Sequence, residues 1–452
     1  MTVTRNEFPA DFAWGTATAS YQVEGAVAED GRTPSIWDTF VRIPGTVADG
    51  TVGDVAADHY HRFAGDVALM SELGVNAYRF SISWSRVLRP DGEPNPAGID
   101  FYRRLLTAVV ERGITPYATL YHWDLPQHLE DAGGWLSRDT ADAFVRYVET
   151  AVGALGDLVG NWITLNEPWC SAFLGYASGH HAPGRRLGSE SSHAVHHLLL
   201  AHGLAVAAIR RLQPDARLGI SLNLYSIRPA SDSAQDQDAA RRIDGLQNRL
   251  FLEPVLQGHY PADVLADLGE QEWFADQPSA DLEAINAPID FLGINYYSRH
   301  TATAGTWDGS PSANPGSEFV EFVDTGAPKT QMGWPVHPDG IVDVLRQAGS
   351  YAPGLPLMIT ENGAAYPDQS GPDGFDDVER CDYIEQHIAA CRDAVRDGLP
   401  LVGYFVWSLI DNFEWGWGFS RRFGIVHVDY ESQQRTVKTS GRWYAAFLAG
   451  GN

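Results

Sequence analysis

Two glutamates stand in settings that separate them from the other acidic residues: Glu167, in Asn166-Glu167-Pro168-Trp169, and Glu361, in Glu361-Asn362-Gly363. Each follows a short β-rich run, Trp162 to Leu165 and Leu357 to Thr360, so each is expected at the C-terminal end of a strand. Carboxylates facing one another across a pocket suit glycosidic bond cleavage, one attacking the anomeric carbon while the other protonates the departing oxygen. Other strand ends carry Tyr121-His122-Trp123-Asp124, Asn295-Tyr296-Tyr297, and Trp407 followed by Glu414-Trp415. Tryptophan offers flat apolar faces to sugar C–H groups, and Gln, His, Asn and Glu side chains bind hydroxyls. Taken singly, each has an ordinary reading: a glutamate as a salt-bridge or capping residue, His122 as a core histidine, Trp407 as packing. Their joint placement on strand ends favours a site.

The elements that must position these residues are legible as alternation. Eight apolar β-rich runs, Phe12 to Thr16, Ala77 to Ile82, Thr115 to Tyr121, Trp162 to Leu165, Leu218 to Leu222, Phe291 to Asn295, Leu357 to Thr360 and Val402 to Val406, are separated by helical patterns. The helices include Tyr60 to Leu73, Phe101 to Glu111, Ala141 to Leu155, His193 to Arg211 and Asp377 to Asp397. Eight such units suit a closed parallel barrel, whose active sites lie at the strand C-termini; an open doubly wound sheet gives similar alternation over fewer units. The first strand is not followed by a Gly-rich dinucleotide fingerprint, and the chain has no phosphate-cradling loop, which argues against nucleotide or nicotinamide chemistry. No cofactor is expected. The stretch from Thr301 to Thr330, rich in Gly, Ser, Ala and Pro, reads as a surface loop between strand six and helix six that borders the entrance.

A chain of 452 residues, 44% hydrophobic and 20% charged, can bury a large core as a globular unit. A formal net charge of −26 disfavours nucleic acid and anionic membranes as partners and is indifferent to a neutral ligand. Lysine occurs only at Lys329 and Lys438, an arginine-rich skew that carries no functional weight. The N-terminus shows no apolar export segment, and no run approaches the roughly 20 apolar residues of a membrane span. Cys170, Cys381 and Cys391 are odd in number, and the latter two lie in one predicted helix about 15 Å apart, too far for a disulfide. A reduced, cytoplasmic protein is expected. His193, His196 and His197 sit at helical spacing that offers two imidazoles on one face to a metal, but no carboxylate or thiol nearby in sequence completes the set; the ordinary reading is a helix-surface cluster, and the same holds for His59 and His61. No metal site is expected.

From Phe8 to about Phe447 the chain resembles the family 1 glycoside hydrolases, the β-glucosidase and β-galactosidase group. The matching segments are FAWGTATASYQVEGA at 12–26, YRFSISWSR at 78–86, YHWDLP at 121–126, TLNEPW at 164–169, GINYYS at 293–298, ITENG at 359–363, WSLIDNFEW at 407–415 and RFGIVHVD at 422–429. The resemblance implies a single (β/α)8 TIM barrel over residues 1–452. It implies a retaining enzyme that removes terminal β-glucosyl residues from neutral glycosides and cello-oligosaccharides, with galactosides, fucosides and transglycosylation as side activities. Glu167 would be the acid/base and Glu361 the nucleophile, flanked by Arg79 and Tyr297. Gln22, His122, Trp123, Asn166, Asn295, Trp407, Glu414 and Trp415 would hold the sugar, while Trp169, Leu174 and Trp334 would border the leaving group.

On these assignments Arg79 and Tyr297 favour an ionised Glu361, whose charge in turn raises the pKa of Glu167. Retention requires the two carboxyls roughly 5 to 5.5 Å apart. Family members that act on 6-phosphorylated sugars differ at the Glu-Trp of the last motif, so retention of Glu414 favours a neutral sugar. The rival from another class is a sugar-binding protein without turnover, of which loss of either carboxylate would be the sign. Both are present.

Overall fold

The computed structural model describes residues 3–371 and 374–450. Its centre is a closed barrel of eight parallel strands: β1 (Ala13–Ala17), β2 (Ala77–Ser81), β3 (Thr115–Tyr121), β4 (Asn161–Asn166), β5 (Arg217–Asn223), β6 (Phe291–Asn295), β7 (Leu357–Asn362) and β8 (Leu401–Trp407). Successive strands are neighbours and β8 closes on β1, so the barrel expected from alternation is the observed fold and the open sheet is excluded. The strands are buried almost throughout because helices cover one face and the opposite strands the other, which is why they read as continuous apolar runs. The expected helices are present as His59–Leu73, Pro96–Glu111, Arg138–Leu155, Ser192–Leu212 and Val378–Arg396.

Three expectations need correction. The stretch 301–330 is not all loop: Arg299–Ala304 and Val320–Phe322 pair with one another, and Ser226–Pro229 joins them as a third strand outside the barrel. Its Gly and Pro content hides strands too short to show a period. The helix Gly188–Leu212 is long and apolar enough to cross a membrane by composition, yet 83% of its most apolar window is buried within the protein. Its four histidines mask that character in the sequence. Finally, the chain between Ala234 and Ile285 forms a succession of helices, from Ala234–Asp244 to Ser279–Ile285, that no clean apolar period announces.

Below the site the barrel is solid. Tyr117, Phe291, Met358 and Phe405 fill it together with Ala77 and Ile163, the Tyr117 ring lying edge-on to Phe405 at 5.2 Å and to Phe291 at 6.2 Å. Rings of this size fit only beside strand positions without a side chain. A Cβ at Gly15 would meet the Phe405 ring at 2.3 Å, and one at Gly219 would meet the Phe291 ring at 2.5 Å. Gly15→Ala is therefore expected to destabilise the fold by roughly 1–3 kcal/mol through overpacking. Adding Phe405→Leu should recover part of that loss. Urea midpoints check both, and an unshifted midpoint for Gly15→Ala would contradict the packing described.

Candidate active site

Neighbouring strands carry the polar layer above this plug in register: Arg79 of β2 pairs with Ala17 of β1, which pairs with Trp407 of β8, and Glu361 of β7 pairs with Asn295 of β6. Arg79 is buried at the centre. Its Nη1 is bonded to Glu361 Oε1, its Nη2 donates to Asn166 Oδ1 at 2.6 Å, and its Nε donates to Thr119 Oγ1 at 3.2 Å. The Tyr297 hydroxyl donates to the other oxygen of Glu361 at 2.6 Å. Glu167 receives Asn295 Nδ2 on Oε1 at 2.6 Å and the Cys170 thiol on Oε2 at 3.0 Å. Thus one carboxyl has a cation and a phenol, the other an amide and a thiol.

Burial raises both pKa values. For Glu361 the rise is opposed first by Arg79 and then by Tyr297, so those partners limit the shift rather than reverse it. Glu167 is pushed up to about 7, chiefly by burial and secondly by Glu361. Like-charge repulsion, expected from sequence to be the cause, is the smaller contribution because the pocket excludes water from the Glu167 side chain. Of the two, Glu361 has the cationic and phenolic partners that favour the ionised form, and Glu167, at about 7, is the one whose pKa lies near neutrality.

Asn166 orients the sugar-side histidine. Its Oδ1 accepts from Arg79 and, at 2.9 Å, from Asn295 Nδ2, so its Nδ2 donates to His122 Nε2 at 3.1 Å. Burial and Arg79 hold His122 neutral, which assigns the ring proton to Nδ1. His122 lies nearly parallel to Trp407 and Trp415, at 5.8 and 5.9 Å, and Trp123 packs on Trp415 at 4.6 Å. Three site residues, Trp123, Glu167 and Trp415, have positive φ of 77°, 46° and 46°. Such backbone costs on the order of 1–3 kcal/mol per residue away from glycine and persists only where packing enforces it.

These groups surround one cavity of about 490 Å³, lined among others by His122, Trp123, Glu167, Glu361, Trp407, Glu414 and Trp415. Trp169, Leu174 and Trp334 line it as well. Gln22, Arg79, Asn166 and Asn295 stand directly behind the lining and are bonded to residues in it. Every residue expected from the sequence to act on or bind the sugar is therefore part of one assembly. The lining residues that were missed include Cys170, His180, His181 and Tyr225. Tyr225 follows β5, so the rule that strand ends carry function would have found it. Nothing from 301–330 lines the cavity; the wall on that side begins at Met332 and Trp334.

The candidate metal ligands lie elsewhere and are occupied. His193 stacks on Trp273 at 3.8 Å and bonds Glu270, His196 bonds Tyr260 and Asp281, and His197 bonds the Trp135 carbonyl. Carboxylates distant in sequence thus do reach this cluster. Likewise His59 bonds Asp66, and His61 bonds Asp58 and Glu29.

A barrel with two unequal glutamates at the ends of β4 and β7, above a plugged core and beneath a tryptophan wall, is the arrangement of a glycoside hydrolase. The chain belongs to glycosyl hydrolase family 1, whose model matches residues 4–451. It is 46% identical to a bifunctional β-D-glucosidase/β-D-fucosidase of Bifidobacterium breve, covering 98% of each chain. It is also 46% identical to β-glucosidase A of Thermotoga maritima, over 97% of each. Among solved structures, the psychrophilic β-glucosidase of Micrococcus antarcticus superposes with a TM-score of 0.93 at 47% identity, covering 98% of this chain and 97% of that one. The T. maritima β-glucosidase in complex with deoxynojirimycin superposes with a TM-score of 0.92 at 44% identity over 100% of both chains. Retention of anomeric configuration is general to the family.

Glu414 supplies a physical check on the pocket. Burial, then Glu361 and Glu167, raise it to about 8, and its one side-chain partner is Gln22 Nε2 at 3.3 Å. A carboxyl whose pKa is higher folded than unfolded contributes stability that is complete below the unfolded value and is lost as pH rises through the folded one. For Glu414 that window runs from about 4.5 to about 8. Glu414→Gln should therefore lose less stability than wild type between pH 5 and 8, the difference being on the order of a few kcal/mol. Denaturation at the two pH values measures it, and parallel losses in both proteins would contradict the buried carboxyl.

Proposed function

We propose that this protein is a cytoplasmic β-glucosidase acting as one catalytic unit on neutral β-glucosides and the cello-oligosaccharides of cellulose breakdown. The observation that carries the reading is the inequality of the two carboxyls. Glu361, with Arg79 and Tyr297 on its two oxygens, attacks the anomeric carbon; Glu167 gives its proton to the departing oxygen. A glycosyl-enzyme ester forms as the glycosidic bond breaks. Esterification removes the Glu361 charge, so the Glu167 carboxylate left by that proton transfer is no longer repelled, and it takes a proton from the water that cleaves the ester. Gln22, His122, Asn166, Trp407, Glu414 and Trp415 hold the sugar, Trp123 walls it, and Trp169, Leu174 and Trp334 border the aglycone. The names of the relatives support glucose with fucose as an alternative sugar. Three unpaired thiols suit a reducing compartment.

The test separates the two roles. Glu361→Ala should be inert even on dinitrophenyl glucoside, with azide restoring turnover as the α-glycosyl azide. Glu167→Ala should lose about 10²- to 10⁴-fold on cellobiose, yet keep much of its glycosylation rate on dinitrophenyl glucoside, whose phenolate needs no proton. In wild type the alkaline limb of kcat/KM should fall near pH 7, where Glu167 loses its proton, and in Glu167→Ala it should flatten on the activated substrate. Proton NMR should show the β-anomer first. Equal losses on both substrates with the limb intact would assign the acid/base role elsewhere.

Selection against 6-phosphorylated sugars follows from the lining. With its raised pKa, Glu414 is largely protonated near neutrality in the empty pocket, so its charge alone does not exclude a dianion. The stronger reason is that no lysine or arginine lines the cavity, whereas three buried carboxyls do. Nitrophenyl β-glucoside should be hydrolysed at least about 10²-fold faster than its 6-phosphate, the order of discrimination produced by leaving a buried charge unpaired. Comparable rates would contradict this.

A further inference from the structure

Glu414 and Trp415 lie on a segment that leaves β8 without regular structure until the short turn Trp415–Trp417. The Glu414 carboxylate has Gln22 as its side-chain partner, at 3.3 Å, so its place in the pocket is inherited from the backbone that carries it. That backbone is tied locally, the Glu414 amide donating to the Gly418 carbonyl at 2.7 Å and the Phe413 amide to the Gln22 carbonyl at 3.0 Å, and it is anchored again three residues earlier. Asp411, fully buried, accepts on Oδ1 from Lys438 Nζ at 2.8 Å and the Gly424 amide at 3.1 Å. On Oδ2 it accepts from Arg422 Nη1 at 2.6 Å and the Val428 amide at 3.3 Å. Asn412 Oδ1 and the Phe413 carbonyl then accept from Gln22 Nε2, each at 3.0 Å, which passes the anchor on to the residue beside Glu414.

Asp368, Asp411 and His427 place their ligand atoms within 4.8 Å of one another, a spacing that suits a cation. The ammonium of Lys438 supplies that charge, 2.8 Å from both Asp368 Oδ1 and Asp411 Oδ1, with its side chain wholly buried. Lys329, the other lysine of this arginine-rich chain, pairs with Asp324 at the surface. The ammonium is a compact point charge with three donors, and two of its contacts are these carboxylates.

We propose that Lys438 is a positioning residue for Glu414: it pins Asp411 and thereby sets where the carboxylate meets the outer hydroxyls of the sugar. The inference rests on the reading of Glu414 as a sugar-binding group. Its signature is selectivity, because a β-xyloside lacks the hydroxymethyl group that Glu414 would hold, whereas loss of folded protein lowers both substrates alike.

Lys438→Met should lower the ratio of kcat/KM for nitrophenyl β-glucoside to that for nitrophenyl β-xyloside by about tenfold, the upper end of the range for one misplaced hydrogen bond. If that variant does not fold, Asp368→Asn decides instead, since it loosens the ammonium without touching the segment 408–418; its ratio should fall several-fold. Glu414→Gln is the reference and should lower the ratio at least as far. A lowered ratio in Glu414→Gln beside an unchanged one in a folded Lys438→Met, or in Asp368→Asn when Lys438→Met does not fold, overturns the inference alone. An unchanged ratio in Glu414→Gln overturns the reading of Glu414 and the inference with it.

Discussion

One guanidinium holds this site together. Arg79 is buried on β2 and reaches both the carboxylate at the end of β7 and the amide at the end of β4. Without it three carboxyls would share a water-poor pocket with no cation, and each would take up a proton. The positive charge keeps one of them ionised, and its hydrogen bond to Asn166 turns that amide so that His122 must present Nδ1–H. The charge on Glu361 and the tautomer of His122 thus depend on a single side chain.

The barrel makes that arrangement affordable. Parallel strands carry Arg79, Asn166, Asn295 and Glu361 into one hydrogen-bonded group inside the barrel, so no loop closure is needed to assemble them. Three of the non-glycine residues with left-handed backbone lie in the site: Trp123, Glu167 and Trp415 leave their strands and loops in that conformation. Neighbouring bonds hold this in place, such as the Glu167 amide to the Ser221 carbonyl at 2.8 Å and Trp123 Nε1 to the Asn166 carbonyl at 2.9 Å.

Much of this was legible in the sequence because its signals are local. The eight strands are short apolar runs, and the polar layer consists of whatever follows each run, so Glu167 and Glu361 declared themselves by position. Tyr225 obeys the same rule after β5. What stayed hidden depends on non-local contact: the thiol of Cys170 on Glu167, the dominance of burial over repulsion in raising Glu167, and the carboxylates that reach His193 and His196 from far along the chain. Lys438 looked like a leftover of composition until the fold set it between Asp368 and Asp411.

The aromatic plug beneath the polar layer makes the pocket a cul-de-sac. Tyr117, Phe291 and Phe405 close the lower end, so whatever enters above must leave by the same door. A polymer cannot thread through; only a chain end fits, and one sugar is taken per visit. The detached aglycone has to vacate the mouth before water can arrive at the glycosyl-enzyme, and another sugar's hydroxyl queues for the same opening. Whatever reaches the two carboxyls therefore passes walls that Trp169, Leu174 and Trp334 help to form.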